Sequence, residues 1–305
     1  MTAAGRRAID GLVTAWAAVS LTFFALRLIG GDPVASLLAQ GLASPEQAAA
    51  LRHQLGLDLP LLQQYVRYLA GLARADLGES LYTGQPVASI IGGQLPYTAQ
   101  LAFAGLLVAL FLGFLIGLLS VREDQRRSVP LAAGVAGLAM ALPVAFTGVL
   151  AILIGLRLGL HGPSAQLLQG LGLPALVLGF SSCGAIARLV RAGMQETLAA
   201  PFILAARARG VRSGPRLVWH ALRPALAPVV SLVAVEAAVL FAGTVVTETV
   251  FSRPGLGRLL VSSILQGDLP VAQGLVVLSA MIYTLSHVGA DLLSMILDPR
   301  LRHTE

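Results

Sequence analysis

The sequence predicts an all-α integral membrane protein with six transmembrane helices and both termini in the cytoplasm. Three observations carry this. Only 12% of the 305 residues are charged and 56% are hydrophobic, with a mean hydropathy of +0.80, whereas soluble domains are roughly 25% charged. Largely charge-free apolar stretches, long enough for a hydrocarbon core that needs about 20 helical residues, recur along the chain. The 21 basic residues, all arginine, divide unevenly between the two sides that those stretches define. A disordered chain, a coiled coil and a free soluble enzyme are excluded. The single cysteine, Cys183, excludes a disulfide scaffold, and inside its apolar run it reads as a small packing residue.

The first span lies in residues 1–29, where Gly11–Leu26 is bounded by Asp10 and Arg27. Its basic start and apolar middle fit a signal peptide, but five further spans follow, so it reads as a retained anchor. Residues 80–121 carry no charge, yet Pro86, Gly92, Gly93 and Pro96 punctuate their first part. The second span is therefore predicted at 97–121. The third is predicted at 129–156 and the fourth at 171–192. The fifth, 225–247, carries one acid, Glu236, and the sixth, 270–296, carries His287 and Asp291. Residues 298–305 form a tail. With the N-terminus inside, 14 arginines fall on the cytoplasmic side and 7 outside, the sense the positive-inside rule favours. Because the arginines are separated by long apolar runs and form no continuous stripe, they report orientation and contact with membrane lipid, not nucleic acid.

Residues 30–96 make a long extracytoplasmic loop that reads as structured. Ser44-Pro45-Glu46-Gln47 has the form of a capping box, opening a helix to about Leu55. Asp58-Leu59-Pro60 opens another, with Leu61, Tyr65, Leu69 and Leu72 on one face. A loop of this length suggests a docking surface for an external partner.

The cytoplasmic segment 193–224 is the most informative. Pro201 can open a short helix over Phe202–Arg209, and Gly210 can close it. Ser213-Gly214-Pro215 then opens a second, to about Leu222. Two short helices meeting at a glycine form a knob whose alanines permit close approach. Read from composition alone, its arginines could equally rest on anionic lipid.

This knob carries a resemblance. Ala205-Ala206-Arg207-Ala208-Arg209-Gly210-Val211, followed by His220-Ala221-Leu222-Arg223-Pro224-Ala225, resembles the EAA signature of ABC-importer permeases, in the form used by the dipeptide, oligopeptide and nickel branch. Pro201-Phe202 stands where that branch usually has Asp-Tyr, and Leu204 where the wider pattern has Glu. Other elements follow in family order: Gly31-Asp32-Pro33, Leu55-Gly56-Leu57-Asp58-Leu59-Pro60, Asp76-Leu77-Gly78-Glu79-Ser80, Glu248-Thr249-Val250-Phe251 with Pro254-Gly255-Leu256-Gly257, and Asp298-Pro299-Arg300-Leu301-Arg302.

The resemblance implies a type I ABC importer permease fold, with residues 97–297 as its transmembrane core. It implies a subunit of the bacterial or archaeal cytoplasmic (inner) membrane that forms half of a translocation pathway. Its implied partners are a second homologous permease, two cytoplasmic ABC ATPases and an extracytoplasmic solute-binding protein. The chain has no G-x-x-x-x-G-K-[ST] phosphate loop, so no catalytic residue, metal or cofactor is assigned to it, and ATP and Mg belong to the partner ATPases. Coupling to them is expected at Ala205, Ala206, Arg207, Ala208, Arg209, Gly210, Val211 and His220.

Gln100, Ser231, Glu236 and Thr244 are candidates for the path, since polar groups in spans either face water or a partner, or glue helices together. His287 and Asp291, four apart, read as a structural pair. The expected solute is a di- or oligopeptide, with nickel or a nickel chelate as the alternative. An intramembrane serine enzyme at Gly179-Phe180-Ser181-Ser182 and a secondary transporter are distant alternatives; the first has Cys183 where a glycine is required, and the second lacks an internal repeat.

Overall fold

The computed structural model describes residues 3–29, 34–35, 38, 41, 44–121, 128–159 and 168–297. The expectations at Gly31-Asp32-Pro33 and Asp298–Arg302, and the Asp291 and Ser231 side chains, lie outside what is described. Among the described residues the chain is helical, with one isolated bridge between Glu79 and Pro86. Among the described residues four helical stretches are long and apolar enough to cross a membrane: Ile9–Leu28, Val87–Leu119, Gly170–Leu198 and Leu269–Gly289. A bent pair makes a possible fifth. The fifth predicted span falls on a 24-residue helix, Ala227–Val250.

In order, the helices are α1 (Ala3–Ile29), α2 (Pro45–Gln54), α3 (Leu61–Ala73), α4 (Val87–Leu119), α5 (Ser128–Ala141) and α6 (Val144–Arg157). A π-helical turn, Leu168–Gly172, leads into α7 (Leu173–Leu198). Then come α8 (Pro201–Ala208), α9 (Ser213–Pro215), a π-helical stretch Arg216–Leu222, α10 (Arg223–Ala225), α11 (Ala227–Val250), α12 (Leu256–Gln266) and α13 (Leu269–Leu297).

Two sequence expectations are corrected. The third span, predicted as one helix, is two: α5 and α6 meet at a 110° bend. Pro143 has no N–H to continue the ladder and disfavours helical geometry at Leu142; it caps α6 in an extended conformation, φ −60° and ψ 140°. The second span begins ten residues early. α4 runs through Gly92, Gly93 and Pro96, because its first turns bury Val87 and Ile91. A Cβ on Gly274 of α13 would lie 2.6 Å from Val87 Cγ1. Tertiary packing there outweighs the local breakers.

The chain divides into two compact units. One comprises Met1–Arg7, Thr98–Arg253 and Leu285–Glu305. Its centre is α7, which buries Val177, Leu178, Cys183, Ile186, Val190 and Met194. Neighbouring helices come close enough that side chains are excluded: a Cβ on Gly113 would stand 2.7 Å from Ile186, and one on Gly184 would stand 2.5 Å from the Ala136 carbonyl. Such seams of small residues are how helices associate where lipid removes the hydrophobic drive. Thr98 donates to the fully buried Glu248 carboxylate at 2.7 Å.

The other unit comprises Ala8–Tyr97 and Pro254–Thr284. The predicted capping box is present: Ser44 N–H donates to Gln47 Oε1 at 2.8 Å, and Gln47 N–H to Ser44 Oγ at 3.2 Å. α3 packs on α1 through aromatic rings, Tyr68 stacking on Phe23 at 5.2 Å and Tyr65 lying 5.2 Å from Phe24. The Ser20 and Tyr65 hydroxyls share a 2.6 Å hydrogen bond, and Arg27 donates to Gln64 while its guanidinium covers the Phe23 ring. Burial, then Tyr65, pushes the Tyr68 hydroxyl up to about 12. Asp268, at the start of α13, accepts from the Ser80 hydroxyl at 2.5 Å and the Leu81 N–H at 3.3 Å.

Candidate functional site

The knob is built as a seat and a face. α7 ends at Ala199, Ala200 turns into extended backbone with φ −70° and ψ 146°, and Pro201 occupies the first turn of α8, where its missing N–H costs nothing. On the inner side Ile203 and Ala206 are buried. Ile203 joins the core of Ile186, Val190, Met194, Ala221, Ala225 and Val229, which fixes α8 to the ends of α7 and α11.

The helix stops in a Schellman motif. Gly210 N–H donates to the Arg207 carbonyl at 3.0 Å and Val211 N–H to the Ala206 carbonyl at 3.1 Å. Gly210 sits at φ +77°, a conformation that costs other L-residues about 1–2 kcal/mol. The helix-and-stop reading is therefore found, one residue offset from the predicted range.

The second leg, 213–225, is helical throughout but wider than an α-helix over Arg216–Leu222. It returns directly beneath α7, since a Cβ on Gly193 would stand 2.9 Å from the Ala225 carbonyl. Among the predicted coupling residues, Ala205, Arg207, Ala208, Arg209, Gly210 and His220 are exposed and Val211 is half-buried. Ala206, expected to admit a partner, faces its own core instead. His220 Nδ1 lies 3.5 Å from the Pro215 carbonyl.

The face carries groups that sequence reasoning passed over. Phe202, Leu204 and Trp219 are 49%, 58% and 78% exposed. Large apolar side chains beside Arg207 and Arg209 are the composition of a protein-binding surface. Residues 193–224 hold five arginines and one acid, Glu196, so the face is strongly basic. The signal was present in the sequence: these apolar residues break the spacing that the seat requires.

The path candidates are dispersed in their environments. Gln100 is exposed on α4. Thr244 is buried and its hydroxyl donates to the Phe241 carbonyl at 2.6 Å, a bond within its own helix. Glu236 is buried beside Ser182 of α7, and its Oε2 has no hydrogen-bond partner. Ser181 Oγ donates to the Leu178 carbonyl at 2.7 Å, an arrangement that ties the candidate nucleophile to its own helix. Glu248, quoted in the resemblance but not among the site candidates, emerges as a buried polar centre next to Thr98. Among the described residues no three His, Cys, Asp or Glu side chains converge as a metal site.

Comparison with known proteins agrees with this architecture. Residues 109–303 match the family described as binding-protein-dependent transport system inner membrane component, and residues 4–102 match the N-terminal region of such membrane components. The chain is 34% identical to the di/tripeptide transport system permease protein of Pseudomonas aeruginosa, covering 93% of each. It is 32% identical to the dipeptide transport system permease protein of Escherichia coli K12, again over 93% of each. A crystal structure of an amino acid ABC transporter with histidines aligns over 70% of this chain and 94% of that one, at 17% identity and a TM-score of 0.54, so the two share a fold. The family match extends over more than half of the sequence, and nearly the whole length aligns with permeases above 30% identity; the chain belongs to the family of binding-protein-dependent transport system inner membrane components.

Proposed function

We propose that this chain is one of two permease subunits of an ATP-driven importer of short peptides, and that the knob is its contact with a separate cytoplasmic ATPase. The observation that carries the coupling role is the division of α8 into a buried seat, Ile203 and Ala206, and an exposed face of Phe202, Leu204, Ala205, Arg207 and Ala208. A helix anchored this way moves as one body with the ends of α7 and α11. An ATPase surface that shifts on nucleotide binding biases the spans between two packings. Arg207 and Arg209 pair with acids at the rim of that surface, and Phe202 and Leu204 fill it.

Peptide is favoured over nickel as the solute because the relatives compared are named for di- and tripeptides. An extracytoplasmic binding protein delivers the peptide to the side bearing residues 30–96. A second, homologous permease completes the path, and both termini lie in the cytoplasm with six spans between them. ATP and Mg stay on the ATPases, and this chain contributes no hydrolytic group.

Reconstitution tests the reading. Proteoliposomes holding the full complex should accumulate labelled dialanine only with ATP inside and binding protein outside. Accumulation that ignores ATP, or uptake of nickel in place of peptide, overturns it.

A further inference from the structure

We propose that the cavity walled by α4, α5 and α7 binds an anionic phospholipid from the leaflet on the knob side, cytoplasmic in the orientation proposed above. The cavity has a volume of about 490 Å³. Its walls are apolar and of small side chains: Ala133, Ala136 and Gly137 on α5, Gly184 and Ala187 on α7. Two charges line it, Arg188 and Arg191, three residues apart and so on one face of α7.

Neither guanidinium has a carboxylate partner among the described residues. Arg188 reaches the Met140 sulfur, a weak and uncharged acceptor. The Ser120 hydroxyl is spent on its own helix, donating to the Ile116 carbonyl at 2.7 Å. An ionisable group on an apolar membrane helix is costly unless a counter-charge meets it. Arg188 is exposed and Arg191 half-buried at the knob-side end of α7, where an anionic headgroup of that leaflet can reach both.

The lining distinguishes the class of anion. Among the described residues no acid borders the cavity, which leaves the ammonium of a zwitterionic peptide without a partner. A phosphodiester with an apolar tail satisfies both halves: arginine grips phosphate oxygens by charge-assisted bonds, and the alanine and glycine walls take part of an acyl chain. The polarity runs the right way. Ser120, Ala133 and Arg191 belong to the knob-side ends of their helices, whereas Met140 and Gly184 lie further along them towards the opposite side. Basic pockets between spans on the cytoplasmic side have this character.

The test uses the intact complex in nanodiscs of mixed phosphatidylglycerol and phosphatidylethanolamine, with retained lipids counted by native mass spectrometry. The wild type should retain phosphatidylglycerol in preference. Arg188→Gln with Arg191→Gln should lower that retention about 10- to 30-fold, from roughly 1 kcal/mol per charge, and leave phosphatidylethanolamine unchanged. Arg188→Lys with Arg191→Lys should restore most of it. Gly137→Leu, whose added Cβ would meet nothing within 4 Å, should fill the wall and expel the tail with both charges in place, and it carries the test if the glutamine variant does not assemble. Unchanged phosphatidylglycerol in Gly137→Leu or in the glutamine variant overturns the proposal. So does displacement of the lipid by dialanine, which would make this a peptide carboxylate site, or release of the second permease by the glutamine variant with lipid retention unaltered.

Discussion

Gly193 and Ala225 meet backbone to backbone: a Cβ on the glycine would lie 2.9 Å from the alanine carbonyl oxygen and 3.3 Å from its Cα. The helix that enters the knob and the turn that leaves it are therefore held at one point. Gly193→Val should force them apart, at a cost of about 1–3 kcal/mol typical of overpacking. A lowered melting temperature of the assembled complex, together with more ATP hydrolysed per peptide moved, is the expected result. Gly214→Ala, in open space, is the silent control.

Gly210 tests the helix stop separately. Its φ of +77° is tolerated by asparagine far better than by β-branched residues. Gly210→Asn should keep uptake near the wild-type level, and Gly210→Val should lose most of it while membrane insertion, read by protease protection, stays normal. Since nothing stands within 4 Å of the position, any loss comes from the backbone and not from a clash.

Reversing charge on the face should separate subunits without unfolding the permease. Arg207 and Arg209 are both exposed, so Arg207→Glu with Arg209→Glu should remove the ATPases from a tagged-permease purification. The second permease should still be recovered. The loss should be greater at high salt in the single variants, as expected for screened surface pairs.

Thr98 supports a buried carboxylate. Thr98→Val keeps the shape but deletes the 2.7 Å donor to Glu248, and a hydrogen bond of this kind contributes about 0.5–1.5 kcal/mol net. Thr98→Ser should recover most of the loss. The comparison is made by thermal unfolding of the detergent-solubilised chain.

Tyr68 sets an alkaline limit. Burial, and then Tyr65, pushes its hydroxyl from the ordinary tyrosine value up to about 12. The neutral form is thus favoured in the fold, and its contribution is intact below pH 10 and lost as pH rises through about 12. Tyrosinate absorbance should show one late-titrating group, and α3 should loosen over the same interval. Tyr68→Phe should abolish that step.

The residues explain what could be read in advance. The capping box at Ser44 and the stop at Gly210 are local devices, complete within a few residues, and both are found where the sequence placed them. Alternation of buried and exposed positions in α8 was only half legible: the pattern of Ile203 and Ala206 defines a seat only once α7 and α11 are known to lie beneath. The α5–α6 bend was announced by Pro143, but the surrounding apolar run masked it. The early start of α4 had no local signal, because Pro96 and two glycines argue against it and only packing around Val87 explains it. The Thr98–Glu248 pair joins residues 150 apart, beyond the reach of any spacing argument.

The turn at Pro143 bears on the bilayer itself. α5 contains 14 residues, which at 1.5 Å each reach about 21 Å, short of a hydrocarbon core near 30 Å. After that the chain swings aside and continues as α6. A helix pair bent there adjusts to bilayer thickness differently from one straight span, so uptake should vary with acyl-chain length, which proteoliposomes of graded lipid thickness would read.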